Sequence, residues 1–170
     1  MKSYHVGVAA EAYAAALFAR AGYDVLVQYG ANQPGYDLAV AREFQPAKIS
    51  VKGSKDGGWV LMASDKKQGV TYHEAIDSWA KRHRDQNVLY CFVQMKDVSF
   101  EAMPRVYLAT ISEVVAYMKS CCGGHGYTSL REKYKWASGK AAGMTDAIPE
   151  YWRMTERRIA ELLGQPDVTQ

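Results

Sequence analysis

Residues 34–54 read PGYDLAVAREFQPAKISVKGS, and this is the most informative stretch of the sequence. Two β-strand patterns, over residues 36–41 and 48–52, are separated by a short turn that contains proline. Two strands joined by a short turn form an antiparallel hairpin, which places the start of the first strand beside the end of the second. Asp37 and Lys52 occupy those two ends. The sequence therefore predicts a carboxylate and an ammonium group side by side at one edge of a sheet.

The hairpin lies inside a longer series of helix and strand patterns. A helix is predicted over residues 8–20, where Gly22 supplies its stop, and a strand over residues 23–28. The residues with helical spacing in that helix are Val8, Ala9, Tyr13, Ala16, Leu17 and Arg20. After the hairpin the patterns predict a strand at 59–63, a helix at 72–84, a buried strand at 88–95, a strand at 105–109 and a helix at 111–118. This order predicts an α/β domain with a mixed sheet.

The sequence changes character after Lys119. Residues 120–144 include five glycines and show no clear periodicity, so an irregular segment is predicted there. A last helix is predicted over residues 149–163, because proline suits the first turn of a helix. One face of that helix would carry Trp152, Thr155, Ile159 and Leu162. We therefore predict a core domain over residues 1–119 and an extension over residues 120–170, whose C-terminal helix packs on the core.

The composition of the 170 residues excludes several classes of protein. A hydrophobic content of 48% with 23% charged residues excludes collagen, a long coiled coil and wholesale disorder. The sequence has no apolar run of about 18 residues, so we predict no membrane partner. The formal charge of +3 permits a nucleic-acid partner without requiring one. Three cysteines, two of them adjacent, are not a disulfide framework, which predicts a cytoplasmic location.

The predicted edge of the sheet carries groups suited to chemistry on phosphate. The carboxylate of Asp37 can hold a hard cation such as Mg²⁺ through oxygen, and the backbone carbonyl of Val51 is a candidate for a further ligand. The ammonium group of Lys52 can orient an attacking water or stabilise charge that grows on a phosphate oxygen. Each residue also has a purely structural interpretation, since Asp37 can be a turn residue and Lys52 can simply end a strand.

The order of these motifs resembles the PD-(D/E)XK nuclease superfamily, over about residues 5–119. Pro34-Gly35-Tyr36-Asp37 looks like the "PD" half and Ser50-Val51-Lys52 like the "(D/E)XK" half. Glu11 stands where archaeal Holliday-junction-resolvase-like members carry a metal ligand on a helix. The resemblance implies a restriction-endonuclease-like mixed sheet flanked by helices, to which this chain adds a C-terminal helical extension.

The same resemblance implies an activity. The protein would be an endonuclease that hydrolyses phosphodiester bonds in DNA with Mg²⁺ or Mn²⁺. Glu11, Asp37 and the carbonyl of Val51 would hold the metal, and Lys52 would orient the water. Members of the superfamily often dimerise to cut two strands, so a homodimer is also expected.

One position departs from the superfamily pattern. The second acidic position is Ser50, whose hydroxyl adds no negative charge and at most makes a water-mediated contact with the metal. Glu43 and Asp56 are nearby acids that could compensate. The departure leaves open an active nuclease with an altered ligand set, a slow nuclease, and an inactive module that binds nucleic acid or a protein partner. In a further alternative, an enzyme for another substrate, Asp37 and Lys52 are only structural.

Basic residues near the motif are candidates for phosphate contacts. They are Lys55, Lys66 and Lys67 on loops that follow the motif strands, and Arg82 and Arg84 at the end of the second predicted helix. Such groups meet the phosphates of a nucleic acid through salt-sensitive contacts. For the helix end, the alternative is that its cations are solvated and interact with the helix dipole.

Overall fold

A computed structural model describes residues 1–28, 35–42, 46–83 and 87–164. Within these residues the helices are α1 (Ser3–Arg20), α2 (Tyr72–His83), α3 (Ile111–Gly124) and α4 (Glu156–Leu163). The strands are β1 (Asp24–Val27), β2 (Leu38–Ala41), β3 (Ala47–Ser54), β4 (Gly58–Val60), β5 (Val88–Gln94), β6 (Arg105–Thr110), β7 (Ser129–Arg131), β8 (Lys133–Lys135) and β9 (Thr145–Ala147). The predicted α/β class with a mixed sheet is confirmed. No helix in the described ranges is long and apolar enough to cross a membrane.

The main sheet has five strands in the order β1-β2-β3-β5-β6. β1, β2 and β3 form an antiparallel meander, in which Leu38 pairs with Ile49, so the predicted hairpin pairing is confirmed. β5 runs parallel to β3, and β6 runs antiparallel to β5. Parallel neighbours need a crossover connection, which the segment containing α2 supplies. This topology puts β3 near the middle of the sheet.

α1 packs closely on β3 through small side chains. Its buried residues recur every four positions and are Val6, Ala10, Ala14 and Phe18. The predicted helix is confirmed, although Val8, one of the residues cited for its spacing, is 49% exposed. A Cβ atom on Gly53 would lie 2.8 Å from the carbonyl oxygen of Val6 and 2.9 Å from Cβ of Ala10. The backbones of α1 and β3 approach so closely that small residues such as glycine and alanine are required between them. A pattern of large apolar residues therefore does not predict this contact.

The two faces of the sheet support separate hydrophobic clusters. Strand residues alternate between the faces, as the pleat requires. The α1 face buries Ile49, Val51, Cys91, Val93, Val106 and Leu108, and Ile159 of α4 joins them. The opposite face buries Tyr90, Phe92, Tyr107 and Ala109 against α2 and α3. The prediction that β5 is a buried strand is confirmed, as is the buried face of α2, which consists of Ala75, Ile76, Trp79 and Ala80.

The segment predicted to be irregular contains short strands. β7 pairs with β4, and β8 pairs with β9, in two separate antiparallel sheets. α3 extends into this segment and is interrupted where Cys121, Cys122 and Gly123 leave helical backbone angles. Each of these strands is three residues long. A strand of that length is too short to produce a readable period in the sequence.

The predicted helix over residues 149–163 is two elements. A 3₁₀ turn covers Glu150–Trp152, and α4 begins after Thr155, whose side chain accepts a hydrogen bond from the backbone N–H of Arg158. Trp152 belongs to the cluster under α2 and α3, whereas Ile159 belongs to the cluster under α1. The prediction that these two residues share one helical face is therefore wrong.

Candidate functional site

The carboxylate of Asp37 lies across the edge of β3. The backbone N–H of Asp37 donates to the carbonyl of Ile49 at 2.8 Å. Its Oδ2 accepts from the backbone N–H of Val51 at 2.6 Å and from the hydroxyl of Ser50 at 3.3 Å. Within the described ranges no group donates a hydrogen bond to Oδ1 of Asp37. The carboxylate is thus held by one oxygen while the other can face a ligand.

The backbone carbonyl of Val51 lies at the same edge. The N–H and C=O groups of one residue point to the same side of a strand, so this carbonyl faces the side on which Asp37 lies. β2 begins at Leu38, which pairs with Ile49 of β3. Beyond this pair, the carboxylate of Asp37 lies beside β3 and accepts the hydrogen bond from Val51. The side chain of Val51 points out of the plane of the sheet, into the hydrophobic cluster under α1.

The pKa of Glu11 depends on the charges of Asp37 and Lys52. Burial raises the pKa of Glu11 above its ordinary value, the negative charge of Asp37 raises it further, and the ammonium of Lys52 lowers it. Within the described ranges no carboxylate lies within 4.0 Å of the Lys52 ammonium. The charges of Asp37 and Lys52, which are distant from Glu11 in sequence, therefore reach this carboxyl group. The packing of Ala10 against Gly53 brings this turn of α1 to β3.

A cleft of about 430 Å³ opens beside these groups. Its lining consists of Gly35, Tyr36, Asp37, Ser50, Lys52, Val60, Leu61, Trp79, His83 and Tyr90. β3 supplies one wall, and α2 supplies the other through Trp79 and His83. Burial and the negative charge of Asp37 raise the pKa of Tyr90 to about 12, so its hydroxyl stays protonated at neutral pH.

Sequence reasoning missed His83 and Tyr90 as parts of this site. Tyr90 reaches the cleft because β5 pairs with β3 in a register that places it beside Ser50. No local pattern in the sequence states that register. His83 lies in a cationic run, KRHR over residues 81–84. Such a run predicts a solvent-exposed helix end, so the sequence does not indicate that His83 lines the cleft.

The predicted phosphate-binding lysines lie outside the lining of the cleft. The ammonium of Lys55 donates to the backbone carbonyl of Met1. The ammonium of Lys66 lies 5.2 Å from the ring centroid of Tyr72, at the start of α2. Lys67 lines a different surface pocket.

The guanidinium of Arg82 pairs with the buried carboxylate of Asp65 through two hydrogen bonds, and Ser78 donates a third bond to that carboxylate. The hydrogen bond from Arg82 is the main reason why the pKa of Asp65 lies below its ordinary value. Arg82 therefore has a structural partner already. Arg84 lies outside the described residues.

Asp56, one of the two acids suggested as substitutes for Ser50, does not add a ligand here. Asp56 accepts hydrogen bonds from Ser54 and Gly58 in the turn after β3, and Glu43 lies outside the described residues. In the described part of the chain no three His, Cys, Asp or Glu side chains cluster as a ready metal site. The candidate oxygen donors are the carboxylate of Asp37, which lines the cleft, the carbonyl of Val51 at the same edge of β3, and the carboxylate of Glu11. These hard oxygen donors fit Mg²⁺ or Mn²⁺, with water completing the coordination.

Comparison with known proteins assigns the chain to no family: no family model, curated protein or solved structure matches it.

Proposed function

We propose that the protein is a nuclease of the PD-(D/E)XK type, which hydrolyses phosphodiester bonds in DNA with Mg²⁺ or Mn²⁺. The observation that carries the proposal is the shared position of Asp37 and Lys52 in the lining of one cleft, with the charges of both acting on the pKa of Glu11. The element order also supports it, since a helix, a three-stranded meander and a parallel crossover agree with the mixed sheet that the motif resemblance implies. The choice of DNA follows from the motif resemblance and agrees with the positive net charge.

The residues of the site take distinct roles in this reaction. Glu11, Asp37 and the carbonyl of Val51 would hold the cation, whose charge stabilises the negative charge that develops on the phosphate. Lys52, on the cleft wall beside Asp37, orients the attacking water and donates to the phosphate. Ser50 holds the carboxylate of Asp37 by its hydroxyl. The negative charge of Asp37 raises the pKa of Glu11, and a bound cation would relieve the repulsion between these two carboxylates.

Lys52→Ala tests the proposal most simply. Its rate of plasmid cleavage in Mn²⁺ is expected to fall by about 10²–10³-fold, because a preorganised charge at the reacting phosphate is lost. Its affinity for Mn²⁺, measured by calorimetry, should not weaken, because Lys52 is not a ligand. Lys55→Ala is the matched control and should keep the wild-type rate, since Lys55 is bound to Met1 outside the cleft. A Lys52→Ala protein that cleaves at the wild-type rate would contradict the proposal.

Ser50 favours one alternative, a module of the same fold that binds DNA without cutting it. The alternative predicts retention of DNA in a binding assay together with no cleavage by the wild-type protein in either Mg²⁺ or Mn²⁺. Cleavage that depends on Lys52 excludes this alternative.

Ser50→Asp should make the stability of the protein depend on metal. A second carboxylate would stand where the Ser50 hydroxyl now lies 3.3 Å from Asp37, so like-charge repulsion should lower Tm without metal. With the added ligand charge, Mn²⁺ should bind about tenfold more tightly and restore Tm. Ser54→Asp is the matched control, since Ser54 also bonds a carboxylate, that of Asp56, but lies outside the cleft. Equal Mn²⁺ affinity in Ser50→Asp and wild type would contradict the placement of the metal.

A further inference from the structure

The hydroxyl of Tyr90 has no protein partner, although the residue itself is buried. Tyr90 is 4% exposed, and its hydroxyl makes no hydrogen bond within the described part of the chain. The buried polar atoms that lack a partner do not include this hydroxyl, so it is the exposed end of the side chain and opens into the cleft that Tyr90 lines. An unpartnered phenol at this place is available to a ligand.

Aromatic packing fixes the direction of the Tyr90 side chain. Its ring centroid lies 5.4 Å from that of Trp79 on α2. The ring of Phe92, two residues along β5, lies 5.9 Å away and is nearly parallel, at 18°. Both neighbours are buried. Contacts with two buried rings hold the hydroxyl in one place, as a binding group requires.

Tyr90 stands beside the groups of the proposed cation site. It pairs with Ser50 of β3, and Lys52 lies two residues further on, so these three side chains share one face of the sheet. The hydroxyl of Ser50 bonds the carboxylate of Asp37. Burial and the negative charge of Asp37 raise the pKa of Tyr90 to about 12. At neutral pH the phenol therefore keeps its proton and can donate a hydrogen bond without any change of protonation.

Two other polar groups in the lining are already engaged as donors. The hydroxyl of Ser50 donates to Asp37. Nδ1 of His83 lies 2.7 Å from the backbone carbonyl oxygen of Trp79, so Nδ1 carries the proton and Nε2 of the neutral ring is an acceptor. A phosphate on this face of the sheet would instead meet two donors from neighbouring strands, the ammonium of Lys52 and the hydroxyl of Tyr90.

We propose that the hydroxyl of Tyr90 donates a hydrogen bond to a non-bridging oxygen of the scissile phosphate. Tyr90 is then a catalytic residue on β5, which holds the phosphate from one side while Lys52 holds it from β3. This inference rests on the proposed function and deepens it, because it assigns a second donor to the negative charge that develops during hydrolysis. The donor is neutral, so it adds a directed hydrogen bond and no net charge to the cleft.

Tyr90→Phe tests this contact, because it removes the hydroxyl and keeps the ring. Its rate of cleavage at saturating DNA in Mn²⁺ should fall by about 10–100-fold, the loss expected for one hydrogen bond to a charged group. Its Tm should stay at the wild-type value or rise, since the hydroxyl has no partner in the protein. Its affinity for Mn²⁺ should not change, because Tyr90 is not a ligand. The salt dependence of DNA binding should also be unchanged, because a phenol carries no charge.

Tyr107→Phe is the matched control, and it should show the opposite pattern. Tyr107 is a buried tyrosine of β6 in the same hydrophobic cluster, but its hydroxyl donates to Glu132 at 2.7 Å, outside the lining of the cleft. This variant should therefore have a lower Tm and keep the wild-type rate. A Tyr90→Phe protein that behaves in the same way, with a lower Tm and the wild-type rate, would show a packing role and overturn the inference.

The two proposals fail differently. A wild-type protein that cleaves no DNA in Mg²⁺ or Mn²⁺ overturns the proposed function and this inference together. A wild-type protein that cleaves DNA, with the same rate at saturating DNA in Tyr90→Phe, overturns only the inference about Tyr90.

Discussion

Asp37→Asn is expected to lower the rate of Mn²⁺-dependent DNA cleavage by about 10³-fold or more. The substitution removes one of the two carboxylate charges at the proposed cation site, where a bound cation contributes several kcal/mol to the transition state. The amide oxygen of Asn can still accept the hydrogen bond from the N–H of Val51, so the fold of the edge should survive. Initial rates on supercoiled plasmid measure the first effect, and calorimetric titration with Mn²⁺ measures the loss of binding.

The matched control for Asp37→Asn is Asp56→Asn. Asp56 follows the same strand and also accepts local hydrogen bonds, from Ser54 and Gly58, but it lies away from the cleft. Its substitution should leave the rate and the Mn²⁺ affinity unchanged. An Asp37→Asn protein that is folded and cleaves like the wild type would remove Asp37 from the mechanism.

Arg158→Ala is expected to lower the free energy of unfolding by about 3–5 kcal/mol. The side chain of Arg158 is 8% exposed, and its Nη2 donates to both carboxylate oxygens of Glu113 at 2.6 and 2.7 Å. Its Nε donates to the carbonyl of Leu108 at 3.1 Å. Alanine would remove the ion pair of a partly buried carboxylate, which would keep its hydrogen bonds from Thr110, and would remove the bond from Arg158 to β6. Urea unfolding of both proteins at pH 7 measures the difference.

The neighbouring residue provides the control for Arg158. Arg157 pairs with Glu161, but its side chain is 88% exposed, so Arg157→Ala should leave the unfolding midpoint almost unchanged. Equal midpoints for Arg158→Ala and the wild type would show that the pair with Glu113 adds nothing to stability.

The effect of Arg158→Ala should also depend on pH. Burial acts to raise the pKa of Glu113, but hydrogen bonds from Arg158 and Thr110 outweigh it and hold the pKa below its ordinary value of 4.5. A carboxyl whose pKa is lower in the folded state stabilises the protein above the unfolded pKa and loses that contribution as pH falls through the folded pKa. The difference between the two proteins should therefore be full at pH 7 and shrink below about pH 4.5.

The hairpin is the part of the site that the sequence predicts well. Two strands and a turn connect Asp37 to Lys52, and local sequence patterns are sufficient to predict these three elements. The convergence of both residues on one cleft follows directly from antiparallel pairing. The buried face of α2 is equally readable, because its apolar residues recur with the helical period.

Contacts between distant segments set the rest of the site, and local patterns do not encode them. The buried face of α1 is not readable from the sequence, because its contact with Gly53 depends on small residues and closely spaced backbones. Tyr90 joins the cleft through the register of two parallel strands, which a crossover separates. His83 joins it through the packing of α2 over the sheet. These contacts depend on tertiary packing, which secondary-structure propensity and hydrophobic periodicity do not predict.

The central claim is that Glu11, Asp37 and Val51 hold one divalent cation beside Lys52. Anomalous diffraction from crystals of the wild-type protein grown with Mn²⁺ tests it most directly. The claim predicts one anomalous peak at the edge of β3, within about 2.0–2.6 Å of oxygen atoms of both carboxylates and of the Val51 carbonyl. An edge without such a peak at millimolar Mn²⁺, or a peak held by other residues, would contradict it.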